Sequence, residues 1–166
     1  MMQSLHDAIE ELKRVDHLIY VSLKYTRTVD VIQNILSRMV DGYAFMVDSL
    51  LKGAEHQKKV QGDLPRSAIE RAELVKSLFK EDITIQDNIE LYLLLRKLLR
   101  AKNVEREQEY RRHVTMKTII DGREEIVNID IITNYYLFQR DFLVHVQKLL
   151  GVTQEEMIKD DDSPYF

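Results

Sequence analysis

Apolar residues return with a helical period along most of this chain, and that repeat constrains its fold more than any other feature. Leu5, Ala8, Ile9, Leu12, Val15, Leu18, Ile19 and Leu23 fall on one stripe, which predicts a first helix over about 5–23 with Ser4 as its N-cap. Ile32, Ile35, Leu36, Met39, Tyr43, Met46, Val47 and Leu50 form a second stripe over about 29–51, with Gly53 placed to terminate it. Gly42 lies inside that helix, where it weakens the backbone but lets another helix cross closely. The 166 residues include 5 Gly and 2 Pro, so long elements are seldom interrupted.

Residues 60–64 read as a loop. A third helix follows, starting at Pro65 or, by the capping-box spacing of Ser67 and Glu70, slightly later. Thr84 is the expected cap of a fourth. Its run IELYLLLRKLL is apolar nearly all round and is expected at the centre of the core. This helix is expected to continue, increasingly polar, through Arg106 towards Tyr110. A last helix begins after Asn128 or Asp130 and runs to Leu150, with Gly151 as terminator. Its stripe is Ile132, Tyr135, Phe138, Phe142, Val146 and Leu149.

One stretch, EYRRHVTMKTIIDGREEIVNID, breaks the helical pattern. Two β-branched runs flank Asp121-Gly122, the pair a type I′ hairpin turn favours because both of its central residues take positive φ. A two-residue loop pairs Met116 with Val127, and a four-residue loop pairs Met116 with Ile129; the sequence leaves both registers open. The expected fold class is therefore all-α: a bundle of about five helices with one inserted β-hairpin at about 114–129. Residues 1–152 are expected to form a single domain, and 153–166 an acidic, loosely ordered tail.

The chain has no Cys, which removes disulfides, thiol catalysis and thiolate metal sites. No Walker loop, dinucleotide-binding glycine pattern, Glu-x-x-His or His-Glu-x-x-His occurs, so neither cofactor nor metal is expected. His6, Glu10 and His17 share one side of the first helix and read as a solvated face. No apolar run reaches the roughly 20 residues of a membrane span. The start, MMQSLHDAIEELK, is polar and acidic where a signal peptide is basic and then apolar, so a cytoplasmic protein is expected.

Net charge is −4, but the distribution is uneven. Arg96, Lys97, Arg100, Lys102, Arg106, Arg111, Arg112 and Lys117 face only Glu105, Glu107 and Glu109 in the same interval, about +5 locally. If helix persists to His113, then Arg106, Tyr110 and His113 share a face and Arg111 and Arg112 flank it. Guanidiniums fork onto phosphate oxygens and a tyrosine stacks on a base, so Arg96, Arg100, Arg106, Tyr110, Arg111, Arg112 and Lys117 are the expected nucleic-acid contacts. His113 is a candidate acid–base group; a second proton-transfer group is not identifiable. The structural counterpart is that these charges cap a helix C-terminus and pair with the three glutamates. Lys24 and Arg27, in the corner SLKYTRT, join the basic face only if the fold brings them near.

Two Arg-to-His spacings, RDFLVH at 140–145 and REQEYRRH at 106–113, resemble the motif of HEPN domains, small all-α bundles that often dimerise and include metal-independent ribonucleases. RDFLVH matches the form of Arg, a polar residue and a later His; REQEYRRH matches the spacing. The resemblance implies a phosphate-facing Arg140, an acid–base His145, a supporting Asp141 and a homodimer. The expected function is an RNA- or polyanion-binding helical protein that uses the basic helix end beside the hairpin. Its alternatives are a HEPN-type endoribonuclease and a non-enzymatic protein-interaction or dimerisation scaffold.

Overall fold

The computed structural model describes residues 1–152, so the acidic tail lies outside the described residues. The first helix, α1, spans Met2–His17 and continues through a π-helical turn at Leu18–Ser22 into the single turn α2, Leu23–Tyr25. Then come α3 (Val29–His56), α4 (Ala68–Leu78), α5 (Ile83–Arg100), strands β1 (Glu105–Glu107), β2 (Thr115–Ile120) and β3 (Arg123–Asn128), and α6 (Ile129–Leu149). The chain is mostly helical, as expected, but the hairpin has gained a third strand. The sheet is antiparallel in the order β1-β2-β3.

Local chemistry explains most of the boundaries. Thr28, Ser67, Asp82 and Asn128 cap α3, α4, α5 and α6, each side chain accepting the N–H three residues on. Asp82 therefore takes the place expected of Thr84, which lies inside α5. Ser4 is also inside a helix, where it donates to the Asp48 carboxylate instead of capping α1. Gly53 does not terminate α3. It is buried beneath Leu150, and a Cβ there would fall 2.5 Å from Leu150 Cδ2, so the glycine makes room for the end of α6. Gly42 does serve the close crossing: its missing Cβ would stand 3.0 Å from Leu12 Cδ1 and 3.2 Å from Gln139 Nε2.

The core is centred on α3, which packs on α1, α4, α5, α6 and β2, and not on α5 as the leucine run predicts. On α5 only Ile85, Asn88, Ile89, Tyr92, Leu95 and Leu98 are buried; Leu91, Leu93 and Leu94 are half-covered at the margin of the core. Tyr43 of α3 reaches across to α5 and donates to Asn88 Oδ1 at 2.7 Å, and Asn88 in turn donates to the Thr84 carbonyl. The pair is fully buried, so each polar group has to find its partner within the protein.

The hairpin uses the two-residue loop. Met116 pairs with Val127, and Asp121 and Gly122 sit at φ +51° and +79°. This register turns Met116, Thr118 and Val127 inward against the helices and leaves Lys117, Ile119 and Ile126 on the outer face. The expected extension of α5 into residues 101–110 does not occur. The helix stops at Arg100, the backbone of Ala101 is extended, and Thr118 Oγ1 donates to the Asn103 carbonyl at 3.0 Å. That bond holds the following residues beside β2, where Glu105, Arg106 and Glu107 pair with Lys117, Met116 and Thr115. Among the described residues no helix is long and apolar enough to cross a membrane.

Candidate functional site

Residues 108–113 leave the sheet edge and fold against the corner between α2 and α3. The Tyr110 N–H donates to the Arg27 carbonyl at 2.6 Å. One residue earlier, Glu109 Oε2 accepts the Val29 N–H at 3.2 Å, so a carboxylate from a distant segment helps to satisfy the first turn of α3. Arg106 closes the arrangement. Its guanidinium lies 2.8 Å from Asp30 and 3.5 Å from Glu109, both at the positive end of α3. Arg106, Tyr110 and His113 therefore do not share a helix face: Arg106 is on a strand, and the other two follow in turns.

Backbone strain marks the same loop. Gln108 has φ +55° and Tyr110 φ +66°, left-handed values that a side chain with a Cβ adopts at a cost. Tyr110 is 78% exposed, so its ring is not what holds it there. Tyr25, in the corner against which the loop docks, is 80% exposed. Lys24, Arg27 and Arg111 belong to the same neighbourhood and make no ion pair with the described residues, and Arg27 Nε is enclosed without a hydrogen-bond partner among them.

Most of the other cations singled out in the sequence are engaged. Arg112 lies 3.3 Å from Asp130, and Lys117 lies 3.2 Å from Glu107 and 3.8 Å from Glu124. Lys97 holds Asp121 at the hairpin turn. Hydrogen bonds keep two of these groups more firmly protonated than usual, Arg106 through Asp30 and Lys117 through Glu107. Arg96 lies over the Tyr92 ring, 5.7 Å from its centroid. Arg100, Arg111 and His113 are exposed. The eight cations thus do not line one open groove; Arg106, Arg112 and Lys117 are tied to carboxylates on four different elements and the 108–113 loop.

The other Arg–His spacing is split between two sides of the bundle. Helix α6 is uninterrupted, so Arg140 and His145 are about 140° apart around its axis. Arg140 lies over the Tyr136 ring, 5.8 Å from its centroid, and Tyr136 donates to Asp16 Oδ2 at 2.8 Å. Burial, and then that bond to Asp16, raises the Tyr136 pKa well above the ordinary phenol. Asp141 is exposed. His145 faces α5 instead, with Nε2 2.7 Å from Asp82 Oδ2. It borders an open hollow of about 720 Å³, lined also by residues 77–83. Asp82 was not expected as a partner; it lies 63 positions away, and no local spacing connects the two.

Among the described residues no group of three or more His, Asp or Glu is placed to share a metal ion. Compared with known proteins, the chain matches no family model, no curated protein and no solved structure.

Proposed function

We propose that the protein binds RNA or another polyanion without cleaving it, through the tip where residues 108–113 meet the α2–α3 corner. The observation that carries this reading is Tyr110, an exposed aromatic residue in a left-handed backbone, tethered through its N–H to Arg27. Strain of this kind costs roughly 1–3 kcal/mol and persists where the surrounding structure imposes it, commonly at binding sites. Tyr110 and Tyr25 offer stacking faces to unpaired bases, and Lys24, Arg27 and Arg111 offer charge to the phosphates between them. The homodimer implied by the HEPN resemblance belongs to this proposal and is read by analytical ultracentrifugation.

Salt dependence tests the reading quantitatively. Three phosphate contacts on a single strand give a log–log slope of about −2, whereas engagement of all eight cations between Arg96 and Lys117 gives a slope steeper than about −5. A slope near −2 that Arg111→Ala makes shallower supports the tip. A slope near −5, or no binding at low salt, rejects it, and the second result favours a protein partner.

The endoribonuclease reading has one observation in its favour: Asp82 orients His145 at an open hollow. Arg140 is not in that hollow, so a nuclease of this kind needs an arginine from a second copy of the chain. RNA cleavage in EDTA that is lost in His145→Ala and kept in His113→Ala supports it; no cleavage removes it.

A further inference from the structure

Positive side chains also gather away from the sheet, in the groove between α1 and α3. A pocket of about 330 Å³ there is bordered by Glu10, Lys13, Arg14 and His17 of α1, by Leu18, and by Asn34 and Arg38 of α3. Its two arginines share one carboxylate. Glu11 is 7% exposed; its Oε1 lies 2.6 Å from Arg14 Nη1 and its Oε2 lies 3.5 Å from Arg38 Nη1. Glu11 engages a single nitrogen of each guanidinium, so both keep further N–H donors in a planar fork. The two side chains are 55% and 40% exposed, which leaves those donors accessible. Lys13 pairs at 3.3 Å with Glu10, which also borders the pocket, so the two arginines carry its available positive charge, and Asn34 adds an uncharged amide.

A second observation points to the same place. The first helix leaves α-geometry at Leu18, which also lines the pocket, and runs as a π-turn to Ser22. Inserted π-turns are uncommon and concentrate at functional sites, because the extra residue per turn re-aims the side chains beside it. His17 is the last residue before the change.

We infer that this pocket binds the phosphate group of a small phosphate monoester. Two forked guanidiniums and an amide supply donors to tetrahedral oxygens, and the volume is at the lower end for small-molecule sites, enough for a phosphate and a sugar. The site shares no lining residue with the Tyr110 tip and does not depend on the function proposed for it.

The test is isothermal titration with inorganic phosphate, ribose 5-phosphate and ribose, using potassium chloride to hold ionic strength constant. Both phosphate compounds are expected to bind and ribose is not. Arg38→Gln and Asn34→Ala should each weaken ribose 5-phosphate at least tenfold with an unchanged circular dichroism spectrum, and Tyr110→Ala should leave it unaltered. Absence of binding by either phosphate compound overturns the inference, as does binding that both pocket variants retain or that Tyr110→Ala abolishes. Binding of inorganic phosphate without ribose 5-phosphate overturns the monoester assignment.

Discussion

Replacing Tyr110 with glycine and, separately, with alanine tests the tip most directly, because the two changes remove the same ring and treat the backbone differently. At φ +66° a residue with a Cβ carries a strain of about 1–2 kcal/mol, which alanine keeps and glycine relieves. Glycine also loses more freedom on folding than alanine, about 0.5–1 kcal/mol. The difference leaves Tyr110→Gly more stable than Tyr110→Ala by about 0.5–1 kcal/mol, or roughly 1–4 °C in melting temperature for a domain of this size. With the ring 78% exposed, the modest burial lost is common to both variants and cancels. Urea titration measures the stabilities, and fluorescence anisotropy with a short single-stranded RNA measures binding. Loss of one stacked base costs about 1–3 kcal/mol, so both variants should bind roughly 5- to 150-fold more weakly despite their different stabilities. Glycine less stable than alanine would show that the left-handed backbone carries less strain than the freedom glycine loses, and would refute the strain assigned to Tyr110. Unchanged affinity in both variants would remove Tyr110 from the contact surface.

Three further predictions concern the helical bundle that carries the tip. Gly42→Ala should destabilise by about 1 kcal/mol in urea: the helix-propensity gain is about 1 kcal/mol, but overpacking against Leu12 and a Gln139 amide already committed to the Met39 carbonyl costs about 1–3 kcal/mol. Asp82→Ala should cost about 1–2 kcal/mol, since it removes both the cap on the Ile85 N–H and the bond to His145, while His145→Ala should cost less because the cap survives. Burial pushes the Asp48 carboxyl up, but hydrogen bonds from Ser4 and Lys52 and the charges of Lys52 and Arg71 outweigh it and hold the pKa below the usual range. A depressed carboxylate contributes stability above its unfolded pKa of about 3.9 and loses it as pH falls through the lower folded value. Asp48→Asn should therefore be less stable than wild type at neutral pH, and chemical denaturation below about pH 4 should show the gap closing.

Where one local interaction decides the structure, the sequence was legible. Asp121-Gly122 located the hairpin turn, and Ser67, Asn128 and Gly151 marked helix ends where those signals now stand. Failures came where a distant segment decides. Nothing near Ala101 forbids helix; the Thr118 hydroxyl, 15 positions from Asn103, helps to hold the chain extended, and β1 follows from that. On α6 the expected Ile132, Phe142 and Val146 are buried, but between them Tyr136 and Gln139 take the places expected of Tyr135 and Phe138, because Gln139 is a polar side chain that bonds the Met39 carbonyl; Phe138, which the apolar pattern prefers, is exposed. Gly53 carries a terminator's signal, but its small size is needed by Leu150, nearly a hundred positions further on.

The dense positive charge beside the strands has a structural explanation that the one-dimensional count hides. Three segments deliver carboxylates to the same region: Asp30 from the start of α3, Glu109 from the loop and Asp130 from the start of α6. Two of these acids are in the first turn of a helix, where negative charge is favoured, and Arg106 and Arg112 reach them from the strand and loop that pass by. The guanidiniums thus bind the sheet segment to two helix N-termini. Solvent screens such exposed pairs, so their joint effect is to fix where the loop runs more than to stabilise the bundle. A loop held at both ends, by Arg106 on one side and Arg112 on the other, leaves Tyr110 and Arg111 between the two ties, and that is how a neutralised basic cluster still presents to solvent an aromatic ring and one guanidinium without a carboxylate partner among the described residues.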